Sequence, residues 1–249
     1  MQRKIMVVTA AYGHDQVRAA GGQIAMLPII ADAGADGVEI RRELLTVDEL
    51  SALPALASAI TSAGLVACYS APQPLFMRDG TLNPHLPELL NEAKTLRALW
   101  LKVSLGHFSD TTAFNRLRDW LDSSAMKLVV ENDQTACGRL PPMLRFNAAC
   151  HTQNLPVQLT FDMGNWLWVG DEPESAADQL APSVGYIHVK AATPHQQSYR
   201  AVPPDSADAR WLALLDRLPI DAPRGIEFPL EGTDLAAVTR RYVDLLRKE

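Results

Sequence analysis

The sequence predicts the α/β class, as one (β/α)8 barrel over residues 1–249, on three observations. Eight short runs rich in apolar and β-branched residues recur with starts roughly 30 residues apart, the spacing of repeated βα units. Helical patterns fill the gaps between them. No low-complexity linker divides the chain, whose 249 residues are an ordinary length for one such barrel.

The runs are Lys4–Thr9, Gly37–Ile40, Gly64–Ser70, Ala98–Ser104, Lys127–Val130, Val157–Phe161, Val184–Val189 and Gly225–Phe228. Most are nearly continuous apolar segments, as strands covered by helices on the outside of a parallel sheet must be. Arg18–Ala33 is the first helical pattern and stops at Gly34. Thr46-Val47-Asp48-Glu49 is a capping box that opens a helix running to Ala63. His85–Arg97 carries Leu86, Leu89, Leu90, Ala93 and Leu96 at helical spacing, and Asp110–Ser123 repeats the plan with Phe114, Leu117, Trp120 and Leu121. Leu140–Gln153, Pro173–Ala181, Ala207–Leu218 and Asp234–Lys248 complete the set. The Pro-rich pieces Ala71–Pro74 and Val202-Pro203-Pro204 fall after the third and seventh runs. A doubly wound open sheet is the main competitor, but the first turn, Tyr12-Gly13-His14-Asp15, lacks the G-x-G-x-x-G dinucleotide fingerprint.

Composition narrows the function classes. A net charge of −6 argues against a protein that tracks polyanions, so no nucleic-acid partner is expected. No stretch approaches the roughly 20 apolar residues of a membrane helix, so no membrane partner is expected either. Gln2-Arg3-Lys4 followed by Ile5–Ala11 superficially resembles a secretion signal, but an apolar run ending at Tyr12-Gly13 reads better as a first strand. Cys68, Cys137 and Cys150 are odd in number and far apart, which disfavours a disulfide framework or a zinc–thiolate site and suits a reducing, cytoplasmic location.

Four runs end on a residue with chemistry: Glu131, Asp162, His188 and Glu227. In a barrel these positions stand at the C-terminal ends of strands five to eight, the face on which barrel active sites form. Singly, each has a plainer use, as a loop hydrogen-bonder, a helix cap or a satisfied core histidine. On four successive strands they form a hard-to-borderline ligand set for one divalent ion, suited to Mn²⁺, Mg²⁺ or Co²⁺ and compatible with Zn²⁺.

Leu128-Val129-Val130-Glu131-Asn132, Phe161-Asp162-Met163-Gly164-Asn165, Ile187-His188-Val189-Lys190 and Gly225-Ile226-Glu227-Phe228 resemble the metal-ligand motifs of the xylose-isomerase-like TIM-barrel family. Gly37-Val38-Glu39-Ile40-Arg41 resembles its second strand. That resemblance implies one ion held by Glu131, Asp162, His188 and Glu227, with Glu131 and Glu227 also the catalytic pair. It implies a sugar or sugar-acid isomerase or epimerase, in which proton transfer passes through a metal-stabilised enediolate. It also raises a homodimer as a partner.

The chain departs from the ketose 3-epimerases of the family. Asn165 stands where those enzymes have a substrate-contacting histidine, Cys137 where they have a glutamate, and Pro194 where they have an arginine, although Arg200 lies further along the same loop. The residues placed at the carbohydrate are therefore Lys102, His107, Asn165, Trp166, Lys190 and Arg200. For Lys102 and Lys190 a structural ion pair inside the barrel, with Glu39, is the alternative. Trp166, Trp168 and Phe108 are candidates for an apolar wall, and Tyr12, His14 and Arg41 for the rim. Competing readings are a dehydratase of a cyclic polyol ketone, of the inosose or dehydroshikimate type, a sugar-binding barrel without turnover, and an endonuclease IV-like nuclease. The last is disfavoured by six histidines in all and an acidic balance.

Overall fold

Every one of the eight runs forms a strand, and together they close on themselves. The computed structural model describes residues 3–248; Met1, Gln2 and Glu249, the ends of the expected domain, lie outside them. In chain order the strands are β1 (Ile5–Val8), β2 (Gly37–Arg41), β3 (Val66–Phe76), β4 (Ala98–Gly106), β5 (Leu128–Glu131), β6 (Val157–Asp162), β7 (Val184–Val189), β8 (Ala191–His195), β9 (Ser198–Val202) and β10 (Arg224–Ile226). β1 to β7 and β10 make a closed barrel in sequence order, with β10 between β7 and β1. All its neighbouring pairs are parallel. This is a (β/α)8 TIM barrel, as the spacing predicts. β8 and β9 form a separate antiparallel hairpin.

The pleat decides what the barrel encloses, because alternate residues point to opposite faces. Trp100 on β4 meets Tyr186 on β7 with ring centroids 4.9 Å apart, and His188 on β7 reaches Glu39 on β2; both contacts cross the interior. Met6, Cys68, Trp100, Val129 and Tyr186, from five strands, pack as one apolar layer. Two residues further along β4, β5 and β7 the inward positions are Lys102, Glu131 and His188. An apolar floor therefore carries a charged storey at the C-terminal end. β10 leaves room for it by having glycine at 225, where a Cβ would lie 2.2 Å from Tyr186 Oη and 3.1 Å from His188 Cδ2.

Outside the barrel the helices bury one stripe each. Leu235–Lys248 buries Thr239, Tyr242, Val243 and Leu246, spaced for one helical face. The Thr46 capping box forms as expected: Thr46 Oγ1 accepts from the Glu49 amide and the Glu49 carboxylate accepts from the Thr46 amide.

Four expectations are corrected. The Arg18–Ala33 pattern is broken into His14–Ala20, a 3-10 turn and Leu27–Asp32, because Gly21 and Gly22 take φ of 105° and 90°. The helix after Thr46 divides at Ala52 into Val47–Ser51 and Leu53–Ser62. The Pro-rich Ala71–Pro74 piece is part of β3, whose register against β4 shifts between Ser70 and Pro74; prolines have no N–H to give the ladder. Finally, the segment after β7 first makes the β8–β9 hairpin, and its helix shortens to Arg210–Leu215.

Gly106 ends β4 at φ 68°, and a Cβ there would lie 2.1 Å from the Phe76 carbonyl oxygen. Left-handed backbone costs an ordinary residue about 1–2 kcal/mol before the clash is counted. Gly106→Ala is expected to destabilise the protein by at least about 2 kcal/mol in urea unfolding. An unchanged midpoint would show that the β3–β4 extension is free to part.

Candidate metal centre

The storey above the apolar floor is built from β2, β4, β5, β6, β7 and the residue after β10. Glu131 and Asp162 are the last residues of their strands, His188 is the penultimate residue of β7, and Glu227 immediately follows β10. One ligand atom from each of Glu131, Asp162, His188 and Glu227 falls within 4.8 Å of all the others. His188 Nδ1 is the hub: it lies 2.7 Å from Glu131 Oε1, 3.0 Å from Glu227 Oε2 and 3.8 Å from Asp162 Oδ2. His188 and Asp162 have no exposed side-chain surface, whereas Glu131 and Glu227 keep 15%.

This set fits a divalent ion. Metal–ligand distances of about 2.1 Å put opposed donors about 4.2 Å apart, which matches the spread seen. Glu131 Oε1, Asp162 Oδ2 and His188 Nδ1 are buried atoms without a directed hydrogen bond. Burial, as the largest influence, lifts the Asp162 carboxyl to about 7, with Glu227 and Glu131 adding to it against Lys190. Burial would lower the His188 pKa, but Glu227 and Glu39 outweigh it and raise the pKa well above its ordinary value. A point where three carboxylates crowd one imidazole nitrogen calls for positive charge; the imidazole proton supplies it, and a bound metal would take that proton's place.

Cations hold these ligands, Lys102 and Arg41 on outer oxygens and Lys190 on oxygens that face the centre. Lys102 Nζ donates to Glu131 Oε2 at 2.7 Å and sits 3.6 Å from Glu39 Oε1. Arg41 Nη1 donates to Glu227 Oε1 at 2.8 Å, while its Nε donates to Glu43. Lys190 Nζ reaches Asp162 Oδ2 at 2.8 Å and Glu227 Oε2 at 3.0 Å. Burial would raise both glutamates; Lys102 and His188 hold Glu131 below the usual carboxylate range, and His188 and Lys190 hold Glu227 well below it.

Asp162 is aimed by its backbone surroundings. Its Oδ1 accepts from the amides of Gly164 and Asn165 at 3.0 and 2.9 Å, which turns Oδ2 toward the centre. The Asn132 side chain brackets the Asp162 peptide, accepting from its N–H at 2.8 Å and donating to its carbonyl at 3.0 Å.

A cleft of about 570 Å³ opens beside Glu227, lined among others by Tyr12, His14, Gln16, Lys190 and Ala201. Of the residues placed at the carbohydrate from sequence, Lys190 lines this cleft and Lys102 lies buried beneath Glu131. Asn165 is buried with its amide engaged: it donates to the Asn132 carbonyl at 2.8 Å and accepts from Gln134 at 3.0 Å, so it ties the β5 and β6 loops together. Trp166 is fully buried against Phe161 and has no face on the cleft. Trp168 lies nearer, its ring 5.9 Å from Lys190 Nζ. His107 lines a separate cavity of about 450 Å³ with Arg78, Cys137 and Arg145. Phe108 packs on Phe76, Phe114 and Phe146. Arg200 is exposed on β9; Ala201 lines the cleft, and the pleat turns its neighbour Arg200 to the other face of the hairpin. Arg41, placed at the rim from sequence, is part of the centre itself.

Glu39, Asn132 and Gln134 are functional-site residues that sequence reasoning leaves out of the site. Glu39 had a signal: a charged residue inside an apolar run, two residues before Arg41 and so on the same side of β2.

No family model and no curated protein matches the chain. Solved structures do. The IolI protein with a bound zinc atom superposes with a TM-score of 0.73 at 14% identity, covering 98% of each chain. A probable 3-DHS dehydratase, AsbF, from Bacillus anthracis gives 0.69 at 14% identity over 98% of each. A D-psicose 3-epimerase gives 0.66 at 12% identity, again over 98% of each. Among the described residues no helix is long and apolar enough to cross a membrane. With a closed barrel, the acid–histidine centre at its C-terminal face and these neighbours, the chain has the fold of the xylose-isomerase-like TIM barrels.

Proposed function

We propose that this protein is a divalent-metal-dependent sugar or sugar-acid isomerase or epimerase that works by moving a proton on carbon. One observation carries the reading. Glu131 and Glu227, from strands on different sides of His188, each bring one oxygen to the centre, and both keep some surface open. An ion held by Glu131, Asp162, His188 and Glu227 would supply charge stabilisation to a substrate oxygen.

The protein's own residues supply the rest. Both glutamates remain ionised at neutral pH, as a proton acceptor must. One takes the proton from the carbon beside the carbonyl, and a proton is returned through its partner, which first takes one up from a substrate hydroxyl or from solvent. Return to the same carbon from the other face epimerises; return to the adjacent carbon isomerises. Lys190, which lines the cleft, is placed to bind a substrate hydroxyl or carboxylate while it bridges Asp162 and Glu227. The cleft, about 570 Å³, suits a small polyol. Mn²⁺, Mg²⁺ or Co²⁺ suits the all-oxygen-and-nitrogen donor set, and Zn²⁺ is supported by the IolI neighbour.

The resemblance to the probable 3-DHS dehydratase supports a second reading, in which the same carboxylates remove a proton and pass one to a departing hydroxyl. Incubation of the metal-loaded protein with ketoses, hydroxy-keto acids and cyclic polyol ketones in D₂O separates the two. The isomerase or epimerase is expected to exchange the hydrogen on the carbon beside the carbonyl without an ultraviolet-absorbing enone. Enone formation would favour the dehydratase, and neither signal across the panel would remove both.

A further inference from the structure

We propose that Glu39 is a positioning residue of the metal centre, one that selects which nitrogen of His188 faces the ion and sets the carboxylate of Glu131 at the same time. The inference rests on the four-ligand centre and goes beyond it, since Glu39 contributes no ligand atom to that group.

Glu39 is wholly buried on β2, which is separated from β7 round the barrel by β1 and β10. Its Oε2 lies 2.8 Å from His188 Nε2, and a carboxylate there requires that this nitrogen carry the proton. Nδ1 is then the nitrogen turned to Glu131, Asp162 and Glu227, and it would offer its lone pair once an ion replaced its proton. Rotation of the ring would put a ring carbon in place of Nε2 against Glu39 and lose the bond. A ligand histidine held through its other nitrogen in this way is fixed in tautomer and orientation.

The second oxygen, Oε1, has no directed hydrogen bond and faces Lys102 Nζ at 3.6 Å and Arg41 Nη1 at 3.8 Å. Each cation passes the constraint on: Lys102 to Glu131 at 2.7 Å, Arg41 to Glu227 at 2.8 Å. Glu39 thus stands at the root of three of the four ligands while touching only one. Beneath it the floor of Met6, Cys68, Trp100, Val129 and Tyr186 offers no carboxylate that would replace it.

The plainer role is a counter-charge for Lys102, a structural task that would leave metal binding alone. Zn²⁺ affinity, thermal stability without metal, and ¹⁵N chemical shifts of His188 in the Zn²⁺-loaded protein tell the roles apart. Glu39→Gln keeps the length and one acceptor oxygen; Glu39→Leu removes both acceptors. Zn²⁺ affinity is expected to fall in the order wild type, Glu39→Gln, Glu39→Leu, the last by about 10- to 100-fold. The slowly exchanging Nε2 proton of His188 is expected in wild type and lost in Glu39→Leu. A fall in stability with Zn²⁺ affinity unchanged in either folded variant overturns the proposal, and Glu39→Gln decides alone where Glu39→Leu does not fold. Failure of wild type to bind Zn²⁺ removes the centre itself, and with it this role.

Discussion

Glu131→Gln and Glu227→Gln are each expected to lower the proton exchange of the metal-loaded protein by about 10²- to 10⁴-fold, the contribution of a positioned acid or base. Glutamine keeps the length and one ligating oxygen of either residue. The comparison therefore separates loss of proton transfer from loss of the ion when metal content is measured beside the exchange rate. At 131 the change also strands Lys102, which retains only Glu39. At 227 it strands part of Arg41 and Lys190, which retain Glu43 and Asp162 respectively. A variant that keeps its metal and exchanges at the wild-type rate would exclude that glutamate from the pair. Equal loss in both variants is expected if each proton passes between the two carboxylates in turn.

Removal of Lys102 is expected to have the largest effect on stability. Its side chain is 1% exposed, and its ammonium lies 3.6 Å from Glu39 and 2.7 Å from Glu131. Taking one partner from a buried ion pair costs about 3–5 kcal/mol, because the remaining charge has neither water nor counter-ion. Lys102→Met should therefore lower the melting temperature of the metal-free protein by roughly 10 °C. The dependence on pH follows from Glu39. Burial would raise its carboxyl, but His188, Lys102 and Arg41 hold it at about 2, below its ordinary 4.5. A group depressed in the folded state contributes stability that is fully present above the unfolded value and is lost as pH falls through the folded one. That contribution is therefore present above about pH 4.5 and disappears toward pH 2. Without Lys102 the folded carboxyl takes up a proton more readily, so the gap between variant and wild type should be widest near neutrality and narrow in acid. Urea unfolding at several pH values measures it. A variant as stable as wild type at pH 7 would mean that Glu39 and Glu131 are balanced by other cations.

The four converging residues were legible because each interrupts its own apolar run at the strand end, where a barrel places its chemistry. Strand order and number follow from the same runs, since a parallel sheet buried on both faces needs continuous apolar segments. Asn165 shows the limit of such reading. Its place three residues after Asp162 marks it as a site residue in the resemblance, yet its amide is engaged by Asn132 and Gln134, from a loop about 30 residues earlier in the chain. Trp166, in the short helix Asn165–Trp168, and Arg200, on the β8–β9 hairpin, show the same: nearness in sequence to a converging residue says nothing of which face a side chain takes.

By itself, then, the sequence determined the barrel and the four residues that converge at its mouth, because both are written in local terms, as a repeat of apolar runs and a polar residue at the end of four of them. Only the tertiary structure decided how that centre is held. The bond from Glu39 to His188 spans 149 positions in the chain, and the ion pair from Arg41 to Glu227 spans 186. No local pattern encodes such pairs. They exist because closing eight strands brings side chains of the second within reach of those of the last two across one narrow, water-poor interior, where every charge must find its partner.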